Sequence, residues 1–414
     1  MTSFPYSALR RSPDFEADNI FAHDAADRLI LDLAKDDLAS TKPASVVTVG
    51  DAYGALTLGA IHLGTTNARV LQDSIVSQQA LAANFNHFAK QCFIPGENKY
   101  TQTNLSESAF SDAENILMRL PKDLGYLRML AQLIQTCANP SVKVFAGGRI
   151  KHMSLSMNQV LADSFETVNV SLARQKSRVI IASSPRQNLD SSWQMPLSEV
   201  YDSATDLWVC SLPGVFAAGS VDIGTRFLIE TLPTISIPKT PGQQVADLGC
   251  GSGLLSAAFL RERPESHVIA TDASQIATLS AASTIKKNLP WAKETPKASP
   301  GTYTIRQDNA LSTVPDAVLD IVLLNPPFHS GAARADHMAD ALIKDAARAL
   351  KPGGVIITVF NSHLRHRQTL QRLVGPTIQV ARNPKFTITR TQKSVGNKPK
   401  SASSGSQRAL TAPD

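Results

Sequence analysis

Short apolar runs recur along the chain, and each of them stops at a glycine-rich, acidic or proline-rich segment. Runs of this length, bounded by turn-forming residues, are typical of buried strands. A stretch with helical character, residues 254–261, follows one of them. The pattern therefore predicts an α/β fold with polar residues where the strands end. The apolar runs behind this prediction cover residues 46–49, 245–248, 268–271, 304–305, 321–324 and 355–360.

The two halves of the chain repeat this pattern. Asp272 in the second half corresponds to Asp73 in the first half, and the number of residues between them is constant along the repeat. The same offset aligns Gly50 with Gly249 and Gly54 with Gly253. These are positions at which a nucleotide-binding α/β fold needs a glycine or an acid. A common register over a whole motif predicts two α/β domains of one kind in tandem.

Length and composition narrow the class of protein. The chain has 414 residues, enough for two domains with full hydrophobic cores. It has no run of about 18 apolar residues, so the sequence predicts no membrane span. Residues 1–11 lack the apolar core of a signal peptide. The cysteines have no disulfide or metal-ligand spacing, which predicts no metal and a cytoplasmic setting: Cys92, Cys137, Cys210 and Cys250.

Charge is distributed unevenly along the chain. The formal net charge is +6, residues 14–37 are rich in acids, and residues 363–414 contain many basic residues and one acid, Asp414. A basic end predicts a polyanionic partner, and RNA is the obvious one. Residues 396–414 are rich in serine, lysine and proline, which predicts a disordered tail. Such a tail can equally serve only to keep the chain in solution.

A proline-rich motif, Asn325-Pro326-Pro327-Phe328, ends the apolar run at residues 321–324. The prolines remove two backbone donors, so the Asn325 oxygen and the Pro326 carbonyl are left as acceptors. An exocyclic amino group can donate to both, and its lone pair then points out of the conjugated plane. Phe328 offers a flat face to a planar base. The motif thus indicates transfer to an amino nitrogen, although a plain proline-rich turn has the same pattern.

Three glycines, Gly249, Gly251 and Gly253, lie in the turn after the first apolar run of the second half. Glycine lets a backbone approach a ligand closely. The spacing fits neither the dinucleotide fingerprint nor the phosphate-binding P-loop. Asp247, just before the turn, suits a ligand with a cationic or amino group. Cys250 is better explained by packing than by nucleophilic chemistry.

Two further runs end in acids. Asp272 follows residues 268–271, where a carboxylate can accept both hydroxyls of a ribose. Asp308 follows the next run and is expected to accept from an adenine amino group. Either acid alone could be a helix N-cap, which is the commoner use. Together with Asp247, however, they form a series of acids at successive strand ends, which caps explain poorly.

This order of motifs resembles S-adenosylmethionine-dependent methyltransferases over about residues 201–391. The resemblance implies that the glycine segment holds the methionine part of the cofactor, Asp272 the ribose and Asp308 the adenine. It implies that Asn-Pro-Pro-Phe marks methylation of exocyclic amines or amides. The Lys-Pro-Gly-Gly segment at residues 351–354 matches a turn into a late strand. The implied cofactor-binding residues are Asp247, Gly249, Gly251, Gly253, Asp272, Asp308 and Asn325.

The tandem arrangement narrows the resemblance to the RsmC/RlmG family of bacterial ribosomal RNA guanine-N2 methyltransferases. Residues 212–216, 221–225 and 144–148 are similar to this family, and residues 361–364 are closer to its large-subunit (RlmG) branch. The resemblance implies methylation of the N2 amine of one guanine, with S-adenosylmethionine as cofactor and ribosomal RNA as partner. It favours the large subunit over the small one.

The first copy of the repeat has lost parts of this chemistry. Thr48 stands in place of Asp247, and Ala52 stands in place of Gly251. Residues 118–122, at the place of the proline-rich motif, keep one proline but lack the asparagine and the aromatic residue. We therefore expect that the first domain neither binds cofactor in the same way nor methylates. Its expected work is to hold RNA or to support the second domain.

These observations predict two tandem class I S-adenosylmethionine-methyltransferase (Rossmann-like) domains, of which the first is degenerate. The expected divisions are a degenerate domain, a catalytic domain and a basic tail, at residues 1–190, 191–395 and 396–414. Basic residues of the first domain are candidates for contacts with RNA phosphates: Arg119, Lys122, Lys143, Arg149, Lys151 and His152.

In the implied mechanism, Asn325, Pro326 and Phe328 are the catalytic residues, because they orient the amine and stack on the base. Pro327, Phe328 and His329 are expected to bind the guanine. His329 can be suggested as a base, but a histidine beside a turn often serves only as a hydrogen-bonding residue.

The segment before the glycine turn, residues 216–226, is expected to lie over the cofactor. Asp222 and Thr225 are its polar candidates. Asp222 fits equally well as the N-cap of a helix that begins at the next residue.

Several other functions share parts of this pattern. A protein glutamine-N5 methyltransferase carries Asn-Pro-Pro before an aromatic residue, and a DNA adenine methyltransferase acts on the same kind of amine. The tandem repeat speaks against the first, and the lack of a recognition insert speaks against the second. A non-catalytic RNA-binding ribosome-assembly factor is an alternative of another class, but the intact acids and glycines of the second half speak against it.

Overall fold

The computed structural model describes residues 4–42, 44–91, 99–187, 193–217, 219–237, 240–326 and 332–395, with the backbone only for residues 332–336. It contains two large mixed sheets, one in each half of the chain, and a small hairpin between them. The predicted tail at residues 396–414 lies outside the described residues, as do Pro327, Phe328 and His329.

The N-terminal half forms a seven-stranded sheet in the order β3-β2-β1-β4-β5-β7-β6. Six of its strands run in the same direction, and β7 runs in the opposite one. Its strands are β1 (Val46–Val49), β2 (Ala68–Leu71), β3 (Tyr100–Thr103), β4 (Asn115–Arg119), β5 (Lys143–Arg149), β6 (Phe165–Val170) and β7 (Ser177–Pro185). Its helices are α1 (Ala25–Ala39), α2 (Ala55–His62), α3 (Ile75–Lys90), α4 (Leu124–Cys137) and α5 (Leu155–Ser164).

A two-stranded antiparallel hairpin follows, made of β8 (Ser198–Asp202) and β9 (Leu207–Ser211). The backbone N–H of Cys210 donates to Thr284 Oγ1 at 2.9 Å, and that of Leu212 donates to Ser280 Oγ at 2.9 Å. Both hydroxyls belong to one helix of the C-terminal half, so the hairpin packs as part of that half. Short 3-10 turns cover Tyr6–Ala8, Glu107–Ala109, Ile150–His152 and Leu232–Thr234.

The C-terminal half forms an eight-stranded sheet in the order β12-β13-β11-β10-β14-β15-β17-β16. Its strands are β10 (Gln244–Leu248), β11 (His267–Asp272), β12 (Lys293–Glu294), β13 (Thr302–Gln307), β14 (Leu319–Leu324), β15 (Leu350–Asn361), β16 (Thr377–Arg382) and β17 (Phe386–Gln392). Its helices are α6 (Ile223–Thr231), α7 (Leu254–Glu262), α8 (Gln275–Asn288), α9 (Ala332–Ala349) and α10 (His366–Leu373).

Apart from the short β12, the two sheets have the same strand order, and in each the penultimate strand is antiparallel. This confirms the predicted pair of Rossmann-like domains. The predicted turn at residues 351–354 is wrong, because β15 already begins at Leu350. That residue pairs with Leu319, and a shift in register before Ile321 lets the pairing continue past the glycines.

The central strands are buried on both faces, which explains why they read as continuous apolar runs. All four residues of β1 are buried, as are the last four of β10 and of β14. Helices cover both faces, so polar side chains can reach solvent chiefly where strands end. Among the helices of the described ranges, none is long and apolar enough to cross a membrane.

Candidate active site

The carboxyl ends of four parallel strands bring the predicted residues of the second half to one edge of its sheet. The N–H groups of Gly249 and Cys250 donate to the carbonyl of Thr271 at 2.8 and 2.9 Å, which ties the glycine turn to β11. The N–H of Asp308 donates to the carbonyl of Asp272 at 2.9 Å, which ties the end of β13 to β11. Since β10 lies between β11 and β14, Asn325 belongs to the same edge.

The three glycines of the turn have two different roles. A Cβ on Gly253 would lie 2.6 Å from the Cα of Ala281, so this glycine lets α7 pack closely on α8. Gly249 and Gly251 also have positive φ, at 76° and 53°, but among the described residues no atom beyond their chain neighbours lies within 4 Å of where a Cβ would be. These two glycines therefore line open space in front of the sheet.

Asp247 lies beneath the turn and is 2% exposed. Its carboxylate accepts a hydrogen bond from Ser256 Oγ at 2.6 Å. Burial raises the pKa of Asp247 to about 6, although the bond from Ser256 acts in the opposite direction. In the same turn, burial raises the pKa of the Cys250 thiol well above its ordinary value, which agrees with a packing role.

Asp272 closes the turn from the side of β11. One carboxylate oxygen accepts from the N–H of Gly251 at 3.0 Å, and the other accepts from the N–H of Ser274 at 2.9 Å. Burial raises the pKa of Asp272, and the nearby charge of Asp73 adds to that rise. The carboxylate is therefore held in a fixed direction by backbone donors on both sides.

Asp308 is buried and is engaged with the turn that follows it. Its oxygens accept from Ser312 Oγ at 2.6 Å and from Thr313 Oγ1 at 2.7 Å and N–H at 2.9 Å. The carboxylate thus shapes this turn. The expected contact with an adenine amino group stays a prediction.

Asn325 has the most informative geometry at this edge. Its Nδ2 donates to Asp222 Oδ2 at 3.0 Å and to Thr225 Oγ1 at 2.9 Å. A carboxylate only accepts hydrogen bonds, so the amide nitrogen must point toward Asp222. Asn325 Oδ1 is then left buried without a hydrogen-bond partner among the described residues. The next residue, Pro326, is buried.

Asp222 is the N-cap of α6, as the sequence allowed, and it has a second partner that the sequence did not indicate. Its Oδ2 caps α6 by accepting from the N–H of Thr225 at 2.9 Å, and the same atom accepts from Asn325. The sequence singled out all three residues but did not connect them. About 100 positions separate Asn325 from the other two, and only the packing of α6 against β15 and β17 brings them together.

The corresponding place in the N-terminal domain holds a different group. Val49 pairs with Met118 just as Leu248 pairs with Leu324, so Arg119 is the counterpart of Asn325. Arg119 makes two hydrogen bonds to Asp24, at 2.7 and 2.9 Å, and an ion pair with Asp27 at 3.1 Å. Arg119 is therefore a poor candidate for binding RNA. The same holds for Lys143, whose Nζ lies 2.5 Å from Asp37.

Chain that precedes α1 covers the glycine turn of the N-terminal domain. Phe4, Leu9 and Ala22 are buried in a cluster with residues of α2 and α3. Arg11 lies over the ring of Tyr53, 4.5 Å from its centroid, in the turn after β1. In the N-terminal domain, side chains of this segment therefore line the space in front of the corresponding turn, which is a cavity of about 200 Å³ bounded also by Asp24, Gly50 and Arg119. Within the described ranges, no group of acidic, histidine and cysteine side chains is placed to hold a metal ion.

Fold and site together define a Rossmann-like methyltransferase domain preceded by a divergent copy of itself. The family model described as "Methyltransferase small domain" matches residues 206–390, and that described as "RLMG N-terminal domain" matches residues 2–187. Both matches agree with the two sheets.

Curated relatives identify the family more closely. A "Ribosomal RNA large subunit methyltransferase G" from Shewanella sp. (strain ANA-3) is 32% identical over 391 residues, which cover 93% of this chain and 97% of the relative. The protein of that name from Streptomyces avermitilis is also 32% identical, with the same two shares. That from Colwellia psychrerythraea is 30% identical, covering 93% and 95%. The chain therefore belongs to the ribosomal RNA large subunit methyltransferase G family, which confirms the resemblance to the RlmG branch.

A solved structure shares the fold over nearly the whole length. It is the Thermus thermophilus 16S rRNA N2 G1207 methyltransferase RsmC, described as a complex with AdoMet and guanosine. The TM-score is 0.69 at 18% identity, covering 90% of this chain and 92% of that one. The tandem arrangement is thus a known one.

Proposed function

We propose that this protein methylates the N2 amine of a guanine in ribosomal RNA of the large subunit, with S-adenosylmethionine as the methyl donor. The observation that carries the proposal is the free, buried Oδ1 of Asn325, which is fixed as an acceptor because Asp222 and Thr225 occupy the amide nitrogen. The names of the relatives support ribosomal RNA as substrate. We also propose the cytoplasm as its location, where ribosomal subunits are assembled.

Open space in front of Gly249 and Gly251 fits a ligand that approaches the backbone, which supports the predicted cofactor site. We propose that these glycines and Asp272 hold the cofactor, and that Asp247 and Asp308 shape the turns around it. Gly253 contributes by packing α7 on α8. When bound, the cofactor would supply a methyl group attached to a positively charged sulfur. As the new N–C bond forms, the bond between sulfur and methyl breaks, and the sulfur keeps the bonding electrons.

Asn325 Oδ1 and the Pro326 carbonyl would each accept one N–H of the amine. The amine then directs its lone pair away from the base plane and toward the methyl group. A group held in this way gains most of its rate from alignment and from the exclusion of water. Neither acceptor takes the proton. The amine becomes acidic as the new bond forms and can release its proton to water afterwards.

The N2 amine of a paired guanine lies in the minor groove and cannot reach a buried acceptor such as Asn325 Oδ1. The target guanine must therefore be unpaired or flipped out, at a cost of a few kcal/mol. Phe328, Pro327 and His329 remain the proposed contacts to the base.

We further propose that the degenerate domain, residues 1–190, contributes to RNA binding beside the catalytic domain, residues 191–395. Three exposed cations, Lys122, Arg149 and Lys151, surround His152. Desolvation lowers the pKa of His152, and the charges of these three cations lower it further. Neutral histidine leaves the cluster with three positive charges for RNA phosphates at neutral pH.

The proposal is tested by mass-spectrometric mapping of ribosomal RNA from cells that lack this protein. One guanine of the large-subunit RNA is expected to lose an N2-methyl group, and the purified protein is expected to restore it. A loss confined to the small-subunit RNA would contradict the large-subunit assignment. An unchanged set of modified guanines would contradict the proposal as a whole.

A further inference from the structure

Two corresponding loops, one from each domain, pair with each other across the domain boundary. One is the loop after β2, which contains Asp73. The other is the loop after β11, which directly follows Asp272. The N–H of Ile75 donates to the carbonyl of Ala273, and the N–H of Gln275 donates to the carbonyl of Asp73, both at 2.9 Å. The degenerate domain is thus bonded to the catalytic domain one residue away from the acid proposed to bind ribose.

The Asp73 side chain acts on the same loop. Its Oδ1 accepts from the N–H of Ile276 at 2.9 Å, in the first turn of α8. A carboxylate at this end of a helix satisfies a free N–H group and complements the helix dipole. The side chain of Ile276 is buried in the core of the N-terminal domain. The start of α8 is therefore held by the other domain through both backbone and side chain.

A second connection joins the same loops through the end of β13. Gln307 Nε2 donates to the carbonyl of Asp73 at 2.6 Å and to that of Ala273 at 3.1 Å. Asn309 Nδ2 donates to Gln79 Oε1 at 3.1 Å. These two residues flank Asp308, so the degenerate domain contacts the chain beside the proposed ribose-binding acid, Asp272, and on both sides of the acid that shapes the next turn.

We propose that Asp73 is a positioning residue for cofactor binding, which holds the Asp272 loop in the geometry that accepts the ribose hydroxyls. The inference rests on the proposed function, in which Asp272 binds ribose. Asp272 takes its direction from the N–H groups of Ser274 and Gly251. Ser274 lies in the segment that Asp73 and Gln307 hold in place, so a change at Asp73 moves one of the two donors that orient Asp272.

The test uses the full chain and the binding of S-adenosylhomocysteine, measured by calorimetry. Asp73→Ala is expected to raise Kd about five- to tenfold, the size expected for loss of a capping bond. Asp73→Asn keeps an acceptor oxygen and is expected to stay within about twofold of the wild type. The matched control is Asp123→Ala, since Asp123 caps α4 of the same domain by accepting from the N–H of Tyr126 at 2.7 Å. It should leave Kd unchanged.

A second ligand separates positioning of ribose from general loosening of the interface. For the 2′,3′-dideoxy analogue of S-adenosylhomocysteine, Asp73→Ala is expected to raise Kd by no more than about twofold, because both hydroxyls that would donate to Asp272 are absent. Wild-type affinity of Asp73→Ala for the full ligand would overturn the inference. So would an equal loss of affinity for both ligands.

Two more variants distinguish failure of the proposed ribose site from failure of the inference about Asp73. Asp272→Ala tests the proposed ribose site itself: if it binds like the wild type, the proposed site fails, whereas failure of Asp73→Ala alone overturns only the inference. If Asp73→Ala does not fold, as judged by its thermal transition, Gln307→Ala takes its place. That variant removes the connection from the catalytic side and is expected to raise Kd about threefold for the full ligand only; unchanged or ligand-independent binding would overturn the inference.

Discussion

At the end of β4, the N-terminal domain holds Arg119 in a two-bond ion pair with Asp24. At the corresponding end of β14, the C-terminal domain holds Asn325 by its nitrogen, against Asp222 and Thr225. Both acids are the N-caps of the helix that precedes the first strand of their domain. In the first domain Arg119 engages both oxygens of Asp24 and also contacts Asp27, whereas in the second domain Asn325 Oδ1 has no partner among the described residues. The same architecture holds an ion pair in one copy and leaves an acceptor available for a ligand in the other.

A second pair of positions shows the same difference. Thr48 and Thr57 share a hydrogen bond of 2.7 Å, and both are buried and neutral. At the equivalent positions the catalytic domain buries a carboxylate, Asp247, bonded to Ser256 at 2.6 Å. A buried acid costs stability that a neutral pair does not. At this position the catalytic domain therefore carries a cost that the degenerate domain lacks, although the degenerate domain buries an acid of its own, Asp51, three residues further along.

The largest expected effect comes from removing the unpaired acceptor of the catalytic domain, Asn325 Oδ1. Asn325→Ala should lower the rate of methyl transfer at least about a thousandfold, roughly 4 kcal/mol, because the amine loses an oriented acceptor. Cofactor affinity should stay within about twofold. Single-turnover transfer to unmethylated ribosomal RNA measures the first, and calorimetry measures the second. Turnover within tenfold of the wild type would exclude the assigned role of Asn325.

Removal of Arg119, the counterpart of Asn325 in the N-terminal domain, should lower the stability of the protein and not the rate of methyl transfer. Arg119→Ala leaves Asp24 and Asp27 without their cation, which is expected to cost about 3 kcal/mol in the free energy of unfolding. Burial acts to raise the pKa of Asp24, but the hydrogen bond and charge of Arg119 hold it below its usual range. Denaturant unfolding measures the loss, and folded Arg119→Ala should still methylate.

The control for that variant is Arg128→Ala. Arg128 pairs with Asp163 at 2.6 Å on the same domain, but both side chains are more than a third exposed. Its removal should cost less than about 1 kcal/mol. Equal losses in the two variants would mean that the Arg119 ion pair of the degenerate domain stabilises no more than a surface pair.

A smaller effect is expected for the buried acid of the catalytic domain, and it depends on pH. The carboxyl of Asp247 ionises near pH 6 in the folded chain, above its ordinary value of 3.8. The folded state therefore loses stability relative to the unfolded chain as pH rises from about 4 to 6. Asp247→Asn does not titrate, so it should match the wild type near pH 4 and exceed it by about 2 to 3 kcal/mol above pH 7.

Unfolding of Asp247→Asn at pH 4, 6 and 8 measures this gain, with Thr48→Val as the neutral control from the other domain. Thr48→Val should shift stability equally at the three pH values. A pH-independent difference for Asp247→Asn would mean that folding does not raise the pKa of Asp247 above its value in the unfolded chain.

The smallest effect tests how firmly the amide is held. Thr225→Val removes the hydroxyl that accepts from Asn325 Nδ2 at 2.9 Å but keeps the backbone N–H that Asp222 caps. We expect a fall of about fivefold in the methyl-transfer rate, near 1 kcal/mol, with unchanged stability and cofactor affinity. A rate equal to that of the wild type would show that Asp222 alone is enough to orient Asn325.

Much of this fold could be read from local patterns. The buried strand at residues 46–49 was predicted with both of its bounds, because a short apolar run between turn residues leaves little choice. The end of β14 at Leu324 was also predicted, but that strand begins at Leu319, two residues before the predicted run. The repeat was visible because corresponding strand ends kept Gly249 and Asp272 in register with their counterparts. Bounds were less certain where tertiary pairing decides, as in β15, whose first residue, Leu350, pairs with Leu319.

Side-chain partners could not be read in this way. Nothing local in the sequence connects Asn325 to Asp222 or Asp73 to Ile276, because these pairs lie 103 and 203 positions apart. The sequence likewise ranked Arg119 with the exposed cations, since an arginine after a strand looks the same whether it meets solvent or a buried acid.

By itself, the sequence determined the class of each domain, the order of their motifs and which copy had lost its chemistry. These follow from residue type and spacing, which act over one strand and one turn. Tertiary structure alone decided which oxygen of the site stays unpaired and that the loops at Asp73 and Asp272 meet. Hydrogen bonds between distant segments depend on how the two sheets and their helices pack, and a carboxylate or an amide has no preferred partner until that packing supplies one.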